Sequence, residues 1–435
     1  MPQDQVLKIH SEAARALRPD LLLSQKTRLG PTDLPYAQLP SPAEVLDLRF
    51  LEDNLGYLQA LGKAAGVEIL LAQKAYSLFA TYPLIARYLR GTSSSGLYEA
   101  KLAAEHFPGG IIQVYSPAYK QSELEEILSL ADYVIFNSPE EWLRWRSLAL
   151  EAAQKREELR FGLRINPEFS AMDTDLYNPA APGSRLGTTI AELERAQEGQ
   201  DNFWYGLSGL HVHCLCEEGA EELAGLVNIL LDSFADYLPR LEWLNLGGGH
   251  HFTRRDYHVP LFLATIKKLK KHTAARIFLE PGEAIPLDCG WLVTRVLDLP
   301  YNEMRLAILD SSATCHMPDV LEMPYRPRLF KVEADGSQEA AGEPREKAFT
   351  YRLGGPSCLA GDIMGDYSFD QQLVRDDVLA FCDMSLYSHV KRTSFNGMPL
   401  PDLYTWDGKQ LECLRHFTYQ DFKNKLGNSS ADKES

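Results

Sequence analysis

Along the chain, short apolar runs alternate with longer stretches in which apolar residues recur at helical spacing. One of the helical stretches begins at Ser138, where a serine N-cap, a proline at the first helical position and two acids follow in order. The apolar runs predict eight buried strands, at 69–72, 92–94, 112–115, 133–136, 161–165, 207–212, 242–246 and 276–280. Because strand and helix alternate eight times, the predicted fold is α/β, an eight-stranded parallel β/α barrel.

After about residue 288 the pattern changes to β-rich segments joined by Gly/Pro turns, which predicts a second, mostly β C-terminal domain. The predicted divisions are an N-terminal leader at 1–44 that partly packs with the β domain, the barrel at 45–288, the β domain at 289–426 and a disordered tail at 427–435. The long segment 166–202 predicts a functional loop. The role of residues 1–40 stays open.

Composition narrows the class of protein. No run approaches the roughly eighteen apolar residues of a membrane span, and the polar start of the chain lacks the apolar core of a signal peptide. With 60 acidic against 44 basic residues, the net charge is −16, and no basic stripe points to nucleic acid. Seven scattered cysteines suit reduced thiols, so we expect a cytoplasmic protein. The acidic excess mildly favours a cationic small-molecule substrate.

Four features follow predicted strands, where the active site of such a barrel lies. Lys74 can form a Schiff base when desolvated, and the glycines 247–249 can bind a phosphate through their amides. Glu280 can hold a heteroaromatic nitrogen protonated, and His213 can stack on an aromatic cofactor. Each also has a structural interpretation: an exposed lysine, a flexible loop, a helix-capping acid and a hydrogen-bonded histidine.

Metal binding is the alternative use of the histidines at 211, 213, 250 and 251. Their spacing gives no recognised ligand geometry, and the Cys214-x-Cys216 pair is too tight for the usual zinc spacing, so no metal is predicted. Taken together, the lysine, the glycines, the acid and the histidine instead point to pyridoxal 5′-phosphate.

The motif order resembles the alanine-racemase-like group of pyridoxal phosphate decarboxylases, which includes ornithine and diaminopimelate decarboxylases. The resemblance runs from about Pro42 to Tyr404. Its motifs are Lys74, His213-Cys-Leu-Cys216-Glu217, Gly247-Gly-Gly249, Glu280-Pro-Gly282, Gly355-Pro-Ser-Cys358-Leu-Ala-Gly-Asp362, Tyr387 and Phe395-Asn396-Gly397. The stretch from Asp310 to Pro327, with Glu283, is more specific. It resembles the carboxynorspermidine/carboxyspermidine decarboxylase branch.

The resemblance implies a role for each matching residue. Lys74 would bind the cofactor, His213 would stack on its ring and Glu280 would pair with its nitrogen. The phosphate of the cofactor would contact Gly248, Gly249 and Tyr387, with Cys216 nearby. Cys358 and Asp362 would come from a partner subunit, so the protein would be a homodimer with shared active sites and Cys358 would be the catalytic proton donor.

Two departures from the ornithine branch support the closer match. Glu283 stands where that branch has an arginine, and Ser93-Ser94-Ser95 stands where it has an aspartate. The acids that we expect to bind the substrate amines are Asp310, Asp319 and Glu322, with Glu283 and Asp362 as further substrate-binding candidates.

The sequence therefore predicts a carboxy-lyase that converts carboxynorspermidine or carboxyspermidine to the free triamine in polyamine biosynthesis. The choice between these two substrates stays open, because one methylene is worth only about 1–3 kcal/mol of discrimination. Two alternatives remain. One is another basic amino-acid decarboxylase of the same fold, acting on diaminopimelate or ornithine. The other is a non-catalytic regulator that binds pyridoxal phosphate or a polyamine.

Overall fold

The computed structural model describes residues 17–22, 29–170 and 178–427. They fall into two compact units. The described parts of Met1–Leu22 and Glu52–Ile285 form the first, and those of Leu23–Leu51 and Pro286–Ser435 form the second. Half of the predicted leader, part of the predicted 166–202 loop and nearly all of the predicted tail lie outside the described residues.

The first unit is a closed barrel of eight parallel strands, which confirms the predicted fold. Strand β1 (Ala43–Asp47) belongs to the second unit. The barrel strands are β2 (Glu68–Ala72), β3 (Gly91–Ser94), β4 (Ile111–Tyr115), β5 (Tyr133–Phe136), β6 (Arg160–Ile165), β7 (Leu207–Val212), β8 (Trp243–Asn245) and β9 (Arg276–Leu279). The barrel closes where β2 pairs with β9, with Ile69 opposite Leu279. Every predicted strand lies within one residue of its observed bounds. Most of these strands are buried apolar runs, whereas β3 is the polar Gly-Thr-Ser-Ser.

Helices precede or follow the barrel strands along the chain. They are α1 (Leu48–Ala65), α2 (Tyr82–Ile85), α3 (Leu97–His106), α4 (Gln121–Leu130), α5 (Pro139–Lys155), α6 (Ile190–Gln197), α7 (Ala220–Ser233) and α8 (Val259–Leu269). Helix α5 begins as predicted: the Ser138 hydroxyl accepts a hydrogen bond from the Glu141 amide at 3.2 Å. This bond satisfies one of the free amides that every helix start leaves.

Trp243 fills the barrel interior at the start of β8, where it is 1% exposed. Two glycines on neighbouring strands make room for its indole. A Cβ on Gly209 would lie 1.9 Å from the ring, and one on Gly162 would lie 2.4 Å from it. Tyr133 packs edge-on against the same ring, with centroids 5.2 Å apart. The barrel is therefore packed at the amino ends of its strands.

The second unit is built on an eleven-stranded, mostly antiparallel sheet. Its further strands are β10 (Gly290–Asp298), β11 (Tyr301–Asn302), β12 (Met304–Leu309), β13 (Leu329–Val332), β14 (Gln338–Ala340), β15 (Phe349–Gly354), β16 (Ile363–Phe369), β17 (Val378–Cys382), β18 (Asp402–Trp406) and β19 (Leu411–Arg415). The main path runs β14-β13-β17-β10-β1-β18-β19, with β1 and β18 parallel. This sheet confirms the predicted β-rich second part of the fold.

Short helices complete the second unit: α9 (Ala313–His316), α10 (Asp319–Glu322), α11 (Tyr387–Lys391) and α12 (Tyr419–Leu426). The predicted domain boundary at residue 45 falls inside β1, whose partners are β10 and β18. Among residues 29–42, Tyr36 packs edge-on against Phe330 of β13. No helix among the described residues is both long and apolar enough to cross a membrane.

Candidate active site

A cavity of about 280 Å³ lies at the carboxyl ends of the barrel strands. Its polar lining comes from several strand ends at once, as this fold provides. Lys74 follows β2, Arg164 lies near the end of β6, and Glu280 follows β9. His211 and His213 come from the end of β7. The structure therefore brings together three of the predicted residues, Lys74, His213 and Glu280.

Lys74 lines this cavity and is exposed to it. Its Nζ lies 3.1 Å from His213 Nε2. Burial, followed by the positive charge of Arg164, lowers the pKa of Lys74 below its usual range. A lysine with a lowered pKa is the nucleophilic form that covalent chemistry with a carbonyl needs.

His213 is held by the loop after β8. The amide of Gly248 donates a hydrogen bond to His213 Nδ1 at 2.8 Å. A Cβ on Gly248 would lie 2.4 Å from the Glu280 carbonyl oxygen, so glycine is required for this close approach. Burial holds the pKa of His213 well below its usual value. The imidazole is therefore neutral and fixed in orientation.

Glu280 is 5% exposed and lies in a hydrogen-bond network. Asn245 Nδ2 donates to Glu280 Oε1 at 2.6 Å, and His211 Nε2 lies 3.3 Å from Glu280 Oε2. Burial alone would raise the pKa of Glu280, but His211, Ser93 and Asn245 together hold it below its usual value. A buried carboxylate with these donors stays ionised.

His211 is itself neutral, because burial lowers its pKa. Its Nδ1 has no hydrogen-bond partner among the described residues, as expected if Nε2 carries the proton toward Glu280. His211, His213 and Glu280 place potential metal-ligand atoms within 4.8 Å of one another. Those atoms already face Lys74 and each other, so we assign no metal to the cluster.

Two amides of the glycine loop 247–249 make hydrogen bonds within the site, a role separate from the predicted phosphate contact. The Gly247 amide donates to Asn245 Oδ1 at 2.7 Å, and the Gly248 amide is directed at His213. Gly247 and Gly249 both have positive φ, at 73° and 80°, a conformation that favours glycine. These amides therefore build the framework of the site, and the phosphate contacts of Gly248 and Gly249 stay predictions.

Two predicted residues near the loop have partners of their own. Glu283 Oε2 lies 2.8 Å from His251 Nε2. Burial would lower the pKa of His251, but the Glu283 carboxylate raises it, which favours a charged pair. Cys216 is half-buried, and burial raises the pKa of its thiol to about 11. Cys216 is thus protonated and is not a nucleophile near neutral pH.

The other predicted site residues lie in the second unit. Asp310 accepts hydrogen bonds from the Thr294 hydroxyl at 2.6 Å and the Arg295 amide at 2.9 Å. Asp319 and Glu322 form ion pairs with Lys391, the former at 2.5 Å. These three acids therefore already have partners within the chain, and a substrate amine would have to share or replace them.

Cys358 and Asp362 lie in one loop between β15 and β16. Cys358 is exposed, and its backbone amide donates a hydrogen bond to Asn396 Oδ1 at 2.8 Å. Asp362 is 3% exposed, and its carboxylate accepts from the Ser312 hydroxyl at 2.8 Å and the Thr314 amide at 3.1 Å. These contacts indicate that Asp362 shapes the loop that carries Cys358. Tyr387 begins α11, and Lys391 Nζ lies 5.8 Å from its ring centroid.

Sequence reasoning missed Arg164, which is 4% exposed. Its guanidinium donates to the His213 carbonyl at 2.8 Å and lies 4.5 Å over the Tyr115 ring. A charged residue inside an otherwise apolar strand is a signal that could have found it, because buried charges need partners. The polar Asn245 near the end of β8 carries the same signal.

Comparison with known proteins identifies the family of this chain. Residues 44–385 match the family model described as pyridoxal-dependent decarboxylase, C-terminal sheet domain. The chain belongs to this family. The family match confirms the prediction that the protein is a pyridoxal-dependent decarboxylase by descent.

This decarboxylase matches two curated relatives over almost their whole length. It is 41% identical to carboxyaminopropylagmatine decarboxylase of Synechocystis, over 90% of this chain and 96% of that protein. It is 37% identical to the carboxynorspermidine/carboxyspermidine decarboxylase of Campylobacter jejuni, over 89% of this chain and 98% of that protein. The predicted resemblance to the latter branch is thus confirmed.

Solved structures agree with the fold of this decarboxylase. The C. jejuni carboxynorspermidine decarboxylase, complexed with norspermidine, superposes with a TM-score of 0.77 at 34% identity, covering 89% of this chain and 100% of the other. Diaminopimelate decarboxylase from Helicobacter pylori, complexed with L-lysine, gives a TM-score of 0.73 at 17% identity, covering 90% and 99%. The second likeness shows the shared fold alone.

The residues at the barrel end fit the cofactor of this family. A lysine amine of lowered pKa can bind an aldehyde, and a buried, ionised carboxylate can pair with a protonated pyridine nitrogen. His213, with its neutral ring fixed between Gly248 and Lys74, is the side chain available for stacking. The donor set of this chain therefore suits pyridoxal phosphate.

Proposed function

We propose that this decarboxylase uses pyridoxal 5′-phosphate to convert carboxynorspermidine or carboxyspermidine to norspermidine or spermidine. The observation that carries the proposal is the Lys74, His213 and Glu280 constellation at the barrel end. It occurs in a chain that is 37% and 32% identical to two curated carboxynorspermidine/carboxyspermidine decarboxylases. The products, linear triamines, suit the acidic excess of the chain.

The proposed roles of the barrel residues follow from their protonation states. Pyridoxal phosphate, when bound, supplies an electron-accepting ring that stabilises the charge left on carbon as carbon dioxide departs. Lys74 would bind the cofactor and later recapture it. Glu280 would keep the ring nitrogen protonated, an electrostatic contribution of the kind usually worth several kcal/mol. Gly248, Gly249 and Tyr387 would hold the phosphate, with Cys216 nearby.

Proton return and substrate recognition are assigned to residues of the second unit and to Glu283. We propose that Cys358, contributed by a partner subunit of a homodimer, gives the proton that replaces the carboxylate. Its exposed side chain supports this, since a thiol that serves a partner must be accessible. Asp310, Asp319, Glu322 and Glu283 are the acids proposed to bind the substrate amines. The contacts of Asp362 support a part in shaping the loop.

The cellular setting is part of the same proposal. We place the enzyme in the cytoplasm, and the observation that supports this is that all seven cysteines are free.

A homodimer with shared sites is testable by mixing two inactive variants. Lys74→Ala and Cys358→Ala subunits, each inactive alone, would regain about a quarter of the activity when mixed, because in an equal mixture half of the dimers are mixed and carry one intact site.

A panel of substrates tests the reaction. Carbon dioxide release by the purified protein with pyridoxal phosphate would be compared for carboxynorspermidine, carboxyspermidine, carboxyaminopropylagmatine, ornithine and meso-diaminopimelate, with Lys74→Ala as the inactive control. Preferred turnover of a carboxylated triamine supports the proposal. Turnover of ornithine or diaminopimelate alone would contradict it while leaving the family unchanged. Cofactor binding without turnover of any substrate would favour a regulator.

Carboxyaminopropylagmatine is the second candidate substrate, and one observation favours it. The chain is 41% identical to the Synechocystis carboxyaminopropylagmatine decarboxylase, against 37% for the C. jejuni relative. That substrate ends in a guanidinium, whose planar fork pairs with carboxylates through two parallel hydrogen bonds, whereas an ammonium acts as a point charge. The ratio of kcat/KM for the two substrates decides between them.

A further inference from the structure

The hydrogen bond between Gly248 and His213 fixes where the histidine carries its proton. A backbone amide can only donate, so His213 Nδ1, 2.8 Å from the Gly248 nitrogen, must be an acceptor with a free lone pair. This excludes the doubly protonated imidazolium, whose Nδ1 also carries a proton. A neutral imidazole has one N–H, which must then be on Nε2.

The amide that imposes this tautomer has little freedom to turn away. A Cβ on Gly248 would lie 2.4 Å from the Glu280 carbonyl oxygen and 3.1 Å from the His213 ring, so the loop packs directly against both. On one side, the amide of Gly247 is tied to Asn245 Oδ1 at 2.7 Å. The amide of Glu280 in turn donates to the Gly247 carbonyl at 2.8 Å.

Lys74 faces the other nitrogen of the same ring. Its Nζ lies 3.1 Å from His213 Nε2, within hydrogen-bond distance. Because Nε2 carries the proton, the lysine nitrogen has to accept it. An ammonium has three donors and no acceptor, whereas a neutral amine has one lone pair. We infer that the chain of hydrogen bonds from the Gly248 amide through His213 holds Lys74 as the neutral amine in the cofactor-free protein.

The charges around Lys74 act in both directions. Burial and the Arg164 guanidinium, which is fixed over the Tyr115 ring, disfavour the ammonium. Acids on the neighbouring elements favour it, and the balance lowers the pKa of Lys74. The titratable and charged groups that act on Lys74 are Glu99, Arg164, His211, His213, Cys216, Glu280 and Glu283.

The consequence is a lysine prepared for an aldehyde. At pH 7.5 an ordinary lysine is neutral in only about one molecule in 10³. Once it leaves the His213 N–H, the lone pair of a neutral Lys74 can form the C–N bond without a prior deprotonation, and the aldehyde oxygen leaves as water with the two amine hydrogens. This use rests on the function proposed above. The protonation states of His213 and Lys74 follow from the two hydrogen bonds and do not depend on it.

Competitive labelling of the cofactor-free full-length protein tests the inference. Trace acetylation between pH 6 and 10.5, read by peptide mass spectrometry, compares Lys74 with Lys120, whose side chain is 80% exposed. Because one pKa unit is a factor of ten in the neutral fraction, we expect Lys74 to keep its reactivity at least about one pH unit lower than Lys120 does.

Two variants separate the hydrogen bond from burial. His213→Phe keeps an aromatic ring but loses the donor, so the titration of Lys74 should move back toward that of Lys120 and its labelling at pH 7.5 should fall about tenfold or more. His213→Gln keeps an N–H donor on a side chain of similar reach and should stay near wild type. Circular dichroism shows whether both variants are folded.

Several outcomes would overturn the inference. Lys74 titrating together with Lys120 in the wild type is one, and an unchanged titration in folded His213→Phe is another, because burial alone would then set the pKa. If that variant does not fold, ¹⁵N NMR of histidine-labelled wild type decides, since a proton on His213 Nδ1 contradicts the proposed tautomer. A low Lys74 pKa without spectral binding of pyridoxal phosphate would support the inference and count against the proposed function.

Discussion

Glu44 anchors helix α11 from inside the second unit. The loss of stability on removing its charge can be estimated from the structure. Its carboxylate is 5% exposed and pairs with Arg392 at 3.1 Å and His389 at 3.0 Å. Substituting Glu44→Gln leaves the guanidinium of Arg392, whose side chain is 9% exposed, without its counter-ion. Breaking a buried pair in this way costs about 3–5 kcal/mol. We expect the free energy of unfolding of this unit to fall by that amount.

The same substitution at the surface provides a matched control. Glu151 pairs with Lys155 at 3.1 Å, but the two side chains are 66% and 73% exposed. Glu151→Gln should therefore change the free energy of unfolding by less than about 0.5 kcal/mol. Urea denaturation, with intrinsic fluorescence and circular dichroism as separate probes, measures both variants. Equal stabilities for the two variants would refute the reasoning that burial gives this pair its value.

The pH dependence of the wild type checks the same pair independently. Burial alone would raise the pKa of Glu44, but His389, Arg392 and Ser385 lower it below its usual value. A carboxyl with a depressed folded-state pKa contributes stability above its unfolded pKa and loses it as the pH falls through the folded one. Wild type should therefore lose more stability than Glu44→Gln on acidification below about pH 4. Parallel acid profiles for the two proteins would contradict this.

Two further perturbations concern the barrel. Asn245→Asp places a second carboxylate where Asn245 Nδ2 lies 2.6 Å from Glu280 Oε1, and two charges at that distance repel by about 6 kcal/mol at an effective dielectric constant of 20. The pair should keep one proton, so the variant should lose about 1.4 kcal/mol of stability relative to wild type for each pH unit between 5 and 8. Unfolding titrations at several pH values with parallel wild-type and variant profiles would contradict the shared proton. Gly209→Ala should destabilise the barrel by about 1–3 kcal/mol or more, because its Cβ would lie 1.9 Å from the Trp243 ring. Adding Trp243→Phe should recover part of this loss in thermal unfolding, and an unchanged loss would show that the clash lies elsewhere.

The sequence determined the barrel strands almost to the residue, because most buried parallel strands are continuous apolar runs with polar ends. The polar β3 is the exception, and its position follows from the regular alternation of strand and helix. The residues that project from those ends, Lys74, His213 and Glu280, could be assigned to one site for the same reason. The predicted start of α5 was also correct, since serine, proline and acids act locally there.

What the sequence did not reveal is the second layer of the site. Asn245, His211 and Arg164 lie within strands, and their value depends on which neighbours the closed barrel brings next to them. Likewise, the pairing of Asp319 and Glu322 with Lys391 joins residues about 70 positions apart. Neither periodicity nor a local motif carries that information.

Trp243 also limits how deeply a molecule can enter this barrel. With the indole packed between Gly162 and Gly209 at the amino end of the strands, the interior offers no depth into which a long, thin molecule could thread. A linear triamine, as in the proposed function, would present only its reacting end to Lys74, and its tail would extend outward past the rim. Side chains outside the eight strands would then distinguish the number of methylenes in that tail. Under this proposal, changing the chain-length preference would mean redesigning those surroundings while leaving the barrel unaltered.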